Sequence, residues 1–489
     1  MSPMHAGRFA YQALRFLGGF LGVGILAAAI GFDAASSSAQ VARETPRSQA
    51  QMQLSFAPLV RETGPAVVNI FAKTEVMERR VSPLFDDPFF RQFFGEMFQG
   101  QPRRRSQQAL GSGVILDPDG LIVTNHHVIA NATQVKVVLS DRREFDAEVL
   151  LKDERTDLAV LRIDAGAEHL PFVEMRDSDS VEVGDLVLAI GNPFGVGQTV
   201  TSGIVSALAR TAVGITDYSF FIQTDASINP GNSGGALIAM DGKLIGVNTA
   251  IFSTQRGGGG GSVGIGFAVP SNMVKTVLRS ARGGKLVRPW LGAAGQSVTQ
   301  ELAEEFGLDR PSGVIINDIY PGGPADHAGL RIGDVVTALN GRVVDDHEAL
   351  RYRVATLPLG ESARAEVLRK GRRLGVDLAL REPLASPAPD VSDLDGPHPF
   401  SGARVANLSP AFAIEKGLDD LARGVVLLGV RRGGVAARLS LTSGDIVLKV
   451  NGRDIETVDD LKKAVARSRD VWRIAIRRGD EVLRREIKG

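Results

Sequence analysis

The sequence predicts a mainly β protein with one large domain of short strands, followed by two small domains that mix strands and helices. From residue 111 to 269, short β-branched and apolar runs alternate with turns of Gly, Asp and Pro, which is typical of β-barrels or a sandwich. After Pro289 a long segment repeats itself, and each copy holds an Asn-Gly turn between strands. The 489 residues exceed a single core and suffice for about three domains.

The composition excludes several classes of function. Lys+Arg and Asp+Glu both number 56, so the formal net charge is zero, whereas nucleic-acid binders usually carry a basic excess. Without any cysteine, the chain cannot form disulfides, a thiolate nucleophile or a cysteine-ligated metal site. We predict a protein that uses no cofactor, no metal and no nucleic acid.

The N-terminus has the pattern of an export signal. Arg8 and Arg15 precede an apolar run over 16–32, and small residues stand before Gln40. We predict a signal peptide over 1–39 and a flexible arm over 40–57. The apolar run is shorter than the roughly 20 residues of a membrane span, so an uncleaved anchor is the alternative to cleavage.

A Phe-rich insertion interrupts the strand pattern early in the large domain. The first strand covers 66–71, and the insertion covers 75–107 and ends in the basic run Arg103-Arg104-Arg105. Loops this long are uncommon and are often functional or disordered. The phenylalanines either pack on their own domain or form an association surface.

The large domain contains a serine in a glycine-rich turn, Asn229 to Gly235. A serine hydroxyl is a poor nucleophile unless a base takes its proton and donors await the oxyanion. Glycines on both sides of Ser233 allow a sharp turn and a close approach of backbone N–H groups. The alternative is a hairpin turn with an incidental serine, because such motifs need structural context.

A base and an orienting acid for Ser233 precede it in the chain. Among seven histidines, His126 and His127 follow an apolar strand directly, and Asp157 stands just before another. The rival carboxylates lie in charged stretches: Asp141, Asp146 and Asp153. The order His, Asp, Ser is that of chymotrypsin-type proteases, whereas α/β-hydrolases have the order Ser, Asp, His. The strands of this region also lack the helical crossovers that an α/β-hydrolase has between its strands.

Three segments that hold these residues resemble the signatures of the HtrA/Deg (protease Do, DegP/DegQ-like) family. They are 124–128 (TNHHV), 155–159 (RTDLA) and 231–235 (GNSGG). The likeness continues through 191–195 and 264–270 and covers about residues 55 to 489. It implies a trypsin-like double β-barrel protease domain followed by two PDZ-like α+β domains.

The resemblance and the repeat together divide the chain. The protease domain is predicted over 58–284, and the first PDZ domain over 285–383. A Pro-rich linker over 384–399 leads to the second PDZ domain over 400–489.

The resemblance assigns a role to each motif residue. It makes His127 the general base, Asp157 the residue that orients the imidazole, and Ser233 the nucleophile, with an oxyanion hole from the backbone N–H groups of Gly231 and Ser233. His126 departs slightly from the family, which usually has asparagine there.

Specificity and peptide binding are also implied by the resemblance. Ile228, Phe252 and Ile265 match positions that line the family's pocket, which predicts cleavage after Val, Ala or Ile; the alternative is that they are barrel-core residues. The N–H groups of the loop Leu291-Gly292-Ala293 are expected to hold the carboxylate of a C-terminal peptide. The second copy departs at Val435 and Ser440, so it is expected to serve assembly more than ligand capture.

These observations lead to one main interpretation. The chain is expected to be an exported, periplasmic, ATP-independent serine endoprotease that degrades misfolded envelope proteins. It is expected to assemble as trimers or larger oligomers, with chaperone activity, peptide regulation through its PDZ domains, loops that order on activation, and peripheral membrane contact. The alternatives are a non-catalytic chaperone or peptide-binding scaffold of the same fold, and an α/β-hydrolase esterase.

Overall fold

The computed structural model describes eight stretches of the chain: residues 55–78, 103–192, 197–210, 220–229, 231–251, 264–283, 286–466 and 470–488. The chain divides into Met1–Ser55 and Phe56–Gly489, and all the elements below belong to the second unit. The predicted signal peptide and nearly all of the predicted arm lie outside the described residues. In the stretches that are described, no helix is long and apolar enough to cross a membrane.

The large domain begins with a seven-stranded sheet. Helix α1 (Ala57–Thr63) and a 3-10 turn (Gly64–Ala66) precede it. Its strands are β1 (Val67–Glu78), β2 (Arg103–Asp117), β3 (Leu121–Thr124), β4 (Gln134–Val138), β5 (Glu144–Asp146), β6 (Glu148–Asp153) and β7 (Leu158–Arg162), with the short helix α2 (His126–Ile129) after β3. The order β5-β4-β1-β2-β3-β7-β6 is antiparallel at every pairing, as expected for a domain connected by tight turns.

The ends of the predicted insertion are strand residues. β1 continues to Glu78 and β2 begins at Arg103, and these two residues pair with each other. The predicted boundaries of the insertion, at 75 and 107, therefore lie inside the β1–β2 ladder. Continued pairing of the two strands satisfies the backbone N–H and C=O groups there. Residues 79–102, including the phenylalanines, lie outside the described residues.

A second set of strands forms a closed barrel. The strands are β8 (Leu186–Gly191), β9 (Thr199–Arg210), β10 (Phe221–Thr224), β11 (Ala236–Ala239), β12 (Leu244–Ile251) and β13 (Gly266–Pro270). They close in the order β10-β13-β12-β11-β8-β9. Helix α3 (Ser271–Arg282) follows and covers the domain with a buried apolar face. β11 and β13 are buried along their whole length, so the turns that emerge from them are held rigidly.

Two small domains of the same design follow. The first contains β14 (Ala293–Ser297), α4 (Gln300–Phe306), β15 (Val314–Ile319), α5 (Pro324–His327), β16 (Val335–Leu339), β17 (Arg342–Val343), α6 (His347–Thr356), β18 (Ser362–Arg369) and β19 (Arg372–Ala379). The second contains β20 (Ser392–Leu394), β21 (Ala403–Asn407), α7 (Pro410–Glu415), β22 (Val425–Val430), α8 (Val435–Arg438), β23 (Ile446–Val450), β24 (Arg453–Asp454), α9 (Val458–Val465), β25 (Val471–Arg478) and β26 (Glu481–Lys488). Each has its own apolar core.

The two copies share an ion pair to a buried carboxylate at equivalent positions. Arg369 binds the carboxylate of Asp334, and Arg478 binds that of Asp445, each through two hydrogen bonds of 2.7 Å. Both carboxylates are almost completely buried, at 1% and 0% exposed. Ser440, which stands where the first copy has glycine, keeps a left-handed φ of 56°, and its carbonyl accepts from Arg478. The sequence difference therefore leaves the backbone of the second copy intact.

The predicted linker 384–399 contains one strand of the second small domain. β20 pairs with β21, so residues 392–394 extend the sheet of that domain. Leu394 is buried in its core. The prolines around this stretch suggested a linker, but a strand at a sheet edge tolerates proline neighbours.

The first small domain packs directly on the large domain. The ring of Tyr352 in α6 stacks on Phe220 before β10, with 3.9 Å between ring centroids and 10° between planes. Arg288 forms an ion pair with Asp153 in which the side chains are 9% and 1% exposed. Apolar and ionic contacts therefore both hold the two domains together.

Candidate active site

The pairing of two buried strands brings the predicted base and acid together. β3 and β7 run antiparallel, with Thr124 opposite Ala159. The end of β3 therefore lies beside the start of β7. His127 follows β3 on α2, and Asp157 directly precedes β7, so residues 30 apart in the chain become neighbours.

The backbone of Asp157 is fixed in an unusual conformation. Its φ is 55°, in the left-handed region that non-glycine residues seldom adopt. Its carbonyl oxygen accepts from the side-chain Nδ2 of Asn125 at 2.9 Å and from the backbone N–H of His126 at 3.1 Å. These bonds tie the strained turn to the segment that carries the histidines.

The carboxylate of Asp157 binds His127 twice. It accepts from the backbone N–H of His127 at 2.9 Å, and it lies 2.8 Å from ring atom Nδ1. Thr249 on β12 donates its hydroxyl to the second carboxylate oxygen. The side chain of Asp157 is 10% exposed and that of His127 is 50% exposed. The acid is therefore enclosed, and the imidazole faces solvent, where a substrate can reach it.

Two opposing effects set the charge of Asp157. Burial alone raises the pKa of this carboxyl, because it disfavours the ionised form. Hydrogen bonds from His127 and Thr249, together with the attraction of the imidazole, outweigh burial and lower the pKa below its ordinary value. The site thus holds an ionised carboxylate that fixes which ring nitrogen of His127 carries a proton.

Ser233 lies next to this pair, on the turn before β11. Its hydroxyl donates to the backbone carbonyl of Thr249 at 3.2 Å, the residue whose side chain binds Asp157. A β-carbon placed on Gly111 would lie 2.6 Å from the Val128 side chain and 3.3 Å from the carbonyl of Ser233. Only glycine at 111 allows the helix of His127 and the serine turn to approach this closely.

The turn before Ser233 has the geometry expected of a glycine-dependent turn. The backbone N–H of Asn232 donates to the carbonyl of Asn229 at 3.0 Å. Gly231 has a φ of 99°, and Gly234 has a φ of 83°. A side chain at Gly234 would collide with the carbonyl oxygen of Ser112. Both glycines are thus required by conformation or by space.

The predicted pocket residues are only partly described. Ile228 is 1% exposed and packs in the core of the closed barrel. Ile265 is half-buried and packs against the main core of the large domain. Gly266, which follows Ile265 in the chain, lies close to Ile228, since a β-carbon there would lie 2.8 Å from Ile228 Cδ1. Phe252 lies outside the described residues.

The predicted carboxylate loop lines a cavity of about 610 Å³ in the first small domain. Leu291, Gly292 and Ala293 line this cavity together with residues of α6. Gly292 has a φ of 71°. Residues of the second small domain, among them Ile414 and Asp420, also line the cavity. Among the residues that the structure describes, no group of three or more His, Asp or Glu could hold a metal ion.

Two residues of the site were not predicted from the sequence. Thr249 is one of many Thr residues in strand-like stretches, and it acts here by joining Asp157 to Ser233. Ser112 in β2 is completely buried, and its hydroxyl donates to the carbonyl of Gly231 at 2.6 Å. The run Gly111-Ser112-Gly113 was the only feature that could have drawn attention to it.

Comparison with known proteins agrees with this architecture. A family described as trypsin-like peptidase domain matches residues 111–247, and one described as PDZ domain matches residues 275–380. The periplasmic serine endoprotease DegP of Escherichia coli K12 is 38% identical over 485 residues, covering 95% of this chain and 98% of DegP. The periplasmic pH-dependent serine endoprotease DegQ of the same strain is 36% identical over 469 residues, covering 95% of this chain and 96% of DegQ.

A solved structure gives the same result. The HtrA-type protease AlgW with decapeptide is 41% identical, with a TM-score of 0.50, and the match covers 67% of this chain and 99% of that one. The predicted fold class is confirmed, with a trypsin-like domain followed by a PDZ domain and a second PDZ region. The chain therefore belongs to the HtrA family of serine endoproteases with PDZ domains, together with DegP and DegQ.

Proposed function

We propose that His127, Asp157 and Ser233 are the catalytic triad through which this chain hydrolyses peptide bonds. The observation that carries the proposal is the continuous chain of contacts from the imidazole of His127 through Asp157 and Thr249 to the hydroxyl of Ser233. A buried, ionised carboxylate bound to Nδ1 leaves Nε2 as the basic nitrogen. This arrangement suits acyl transfer by a serine nucleophile.

The reaction follows from these positions. Ser233 Oγ attacks the peptide carbonyl carbon while its proton passes to Nε2 of His127. The C–N bond then breaks, and the same proton goes to the leaving amine. Water hydrolyses the acyl-enzyme by the same route, with His127 again taking and returning a proton. The backbone N–H groups of Gly231 and Ser233 stabilise the oxyanion, and loss of one such donor typically raises the barrier by about 3 kcal/mol.

The hydroxyl of Ser233 must turn before it can react. It donates to the carbonyl of Thr249, and rotation about its side-chain bond redirects it toward His127. We infer that ordering of the neighbouring loops favours this rotation; by the family resemblance these loops are 191–201, 251–264 and the Phe-rich insertion. Residues 193–196 of the first loop and 252–263 of the second lie outside the described residues.

Cleavage specificity is assigned to the apolar set Ile228, Phe252 and Ile265. Apolar side chains without an acidic partner favour Val, Ala or Ile before the cleaved bond and give no counter-charge for Lys or Arg. A peptide library digested by the protein tests this directly. Predominant cleavage after basic residues would refute the assignment.

The wider role is proposed from the relatives and the PDZ groove. DegP and DegQ are named as periplasmic endoproteases, which supports export of this chain and proteolysis in the periplasm. The proposed substrates are misfolded envelope proteins. The cavity beside Leu291, Gly292 and Ala293 suits an extended peptide with a free carboxylate. Assembly as trimers or larger oligomers, chaperone activity and peripheral membrane contact complete the proposal.

Paired substitutions test the triad. Ser233→Ala and His127→Ala are expected to abolish casein cleavage, while His126→Ala, which changes the neighbouring side chain on the same helix, retains it. A fluorophosphonate probe is expected to label the wild-type protein on Ser233 alone. Casein cleavage that survives Ser233→Ala would favour another nucleophile, and a folded wild-type protein without any cleavage would favour the chaperone alternative.

A further inference from the structure

We propose that Ser112 is a positioning residue that holds the turn of the nucleophile in its reactive geometry. The inference rests on the proposed role of Ser233 and adds a residue that the motifs do not contain. Ser112 belongs to β2 of the first sheet, whereas Ser233 belongs to the closed barrel. It is completely buried, at 0% exposed, and therefore acts on the reaction through its contacts rather than by touching substrate.

Ser112 holds the carbonyl groups of the two residues that flank Asn232. Its backbone N–H donates to the carbonyl of Ser233 at 2.8 Å. Its hydroxyl donates to the carbonyl of Gly231 at 2.6 Å. The two residues that it holds are those whose N–H groups are proposed to bind the oxyanion. Each carbonyl is in the peptide group that follows its residue, and each proposed donor is in the group that precedes it. Fixing both carbonyls therefore restrains the backbone of the two residues that carry the donors.

The direction of the Ser112 hydroxyl is itself determined. The backbone N–H of Asn192 donates to this oxygen at 2.8 Å. Since an N–H can only donate, the single hydroxyl proton is directed to Gly231. The same contact ties the turn to the end of β8, where a β-carbon on Gly191 would lie 2.8 Å from the α-carbon of Asn232. The turn thus rests against β8 and is bonded to β2.

Ser112 is also anchored to the strand that leads to the base. The hydroxyl of Thr124, the last residue of β3, donates to the carbonyl of Ser112 at 2.7 Å. His127 follows three positions later on α2. Ser112 therefore sets the position of the Ser233 turn relative to the element that carries His127, across the boundary between the sheet and the barrel.

Loss of this hydroxyl is expected to affect the chemical step more than binding. In Ser112→Ala, the N–H of Asn192 and the carbonyl of Gly231 lose a shared buried partner, and unmade buried hydrogen bonds drive local shifts. A misplacement of about 1 Å can cost about 100-fold in rate. We expect kcat to fall by about 10- to 100-fold while KM stays within about twofold, because the apolar pocket is not touched.

The experiment compares four full-length proteins on one peptide substrate. They are the wild type, Ser112→Ala, Ser112→Thr, which keeps a hydroxyl, and Ser271→Ala as control. Ser271 is equally buried, and its hydroxyl donates to the carbonyl of Arg176 at 2.5 Å, away from the turn. The affinity for a peptide boronate is the second readout, because its tetrahedral adduct with the serine needs the oxyanion donors. A purely structural defect would not weaken boronate binding more than it weakens substrate binding.

The expected result is a matched loss of kcat and boronate affinity in Ser112→Ala, with recovery in Ser112→Thr and near-normal values in Ser271→Ala. A kcat within about twofold of wild type, or equal losses in Ser112→Ala and Ser271→Ala, would overturn the inference. If Ser112→Ala does not fold, Ser112→Cys replaces it, because the thiol is of similar size and a weak donor. An inactive wild-type protein would instead count against the proposed function.

Discussion

Thr249 donates its hydroxyl to Oδ2 of Asp157 and accepts, through its own carbonyl, the hydroxyl of Ser233. One strand residue thus contacts both the acid and the nucleophile. The side chain contributes to lowering the pKa of Asp157 against the effect of burial. The carbonyl sets the direction of the Ser233 hydroxyl.

Replacing Thr249 by valine tests the side-chain half of this relationship. Valine has nearly the same shape as threonine but leaves the buried carboxylate one donor short, and hydrogen bonds to charged groups contribute about 1.5–3 kcal/mol. We expect Thr249→Val to reduce kcat/KM by about 10- to 100-fold with little change in KM. Thr276→Val is the control, since Thr276 is also buried but bonds within α3. Equal activity of both variants would contradict the assigned role.

The contact between the two PDZ domains is expected to depend on pH. Trp290 Nε1 donates to Asp420 at 2.9 Å, and burial raises the pKa of Asp420 despite this bond, with the charge of Asp419 adding to the effect. A raised folded-state pKa means that the folded contact holds the proton more tightly than the unfolded chain. The contribution of Asp420 to the contact is therefore fully present below the ordinary pKa of about 3.9 and is lost as pH rises through the folded-state pKa.

Asp420→Asn tests this pH dependence. Near pH 4 the variant is expected to melt at the same temperature as the wild type. Near pH 7 it is expected to melt at a higher temperature than the wild type, because it has no carboxylate to ionise in the contact. Each tenfold change in proton affinity corresponds to about 1.4 kcal/mol. Thermal unfolding followed by tryptophan fluorescence measures the difference. The exposed Asp454→Asn, whose side chain is 70% exposed, is the control. A melting difference that does not change with pH would refute the prediction.

The buried ion pair between Arg288 and Asp153 is expected to hold the first PDZ domain on the protease domain. Removing one partner of a buried pair typically costs about 3–5 kcal/mol, because the other loses its counter-charge in a dry site. We expect Asp153→Asn to increase hydrogen exchange over residues 286–290 strongly. The control is Arg282→Met, which removes an exposed ion pair with Asp117; the Arg282 side chain is 65% exposed. This variant is expected to change the free energy of exchange by less than about 1 kcal/mol. Similar exchange in both variants would show that the buried pair is not a strong contact.

The stacked rings of Tyr352 and Phe220 form the apolar half of the same interface. Tyr352 is 1% exposed, so Tyr352→Ala leaves a cavity and is expected to cost about 3–5 kcal/mol. Tyr352→Phe keeps the ring and is expected to cost much less. A double-mutant cycle with Phe220→Ala measures the coupling of the rings, expected at about 0.5–1.5 kcal/mol. Purely additive losses would mean that the stack adds nothing beyond burial.

The sequence by itself determined the features that depend on local pattern. The strand periodicity and the internal repeat predicted a mainly β chain with two copies of a small domain. Motif order predicted that His127, Asp157 and Ser233 share one site, because residue type and spacing carry that information along the chain. The glycines around Ser233 were predictable for the same reason, since a sharp turn restricts which residues can occupy it.

Only the tertiary structure decided which distant groups complete the site. Thr249 is 92 residues from Asp157, and Ser112 is 119 residues from Gly231, so no local pattern relates them. Their roles arise from how β2 and β12 meet at the junction of the sheet and the barrel. β20 is a further example, because it pairs with β21 although the composition around it is typical of a linker. Hydrogen bonding across a sheet depends on which strand lies alongside, and local composition does not give that.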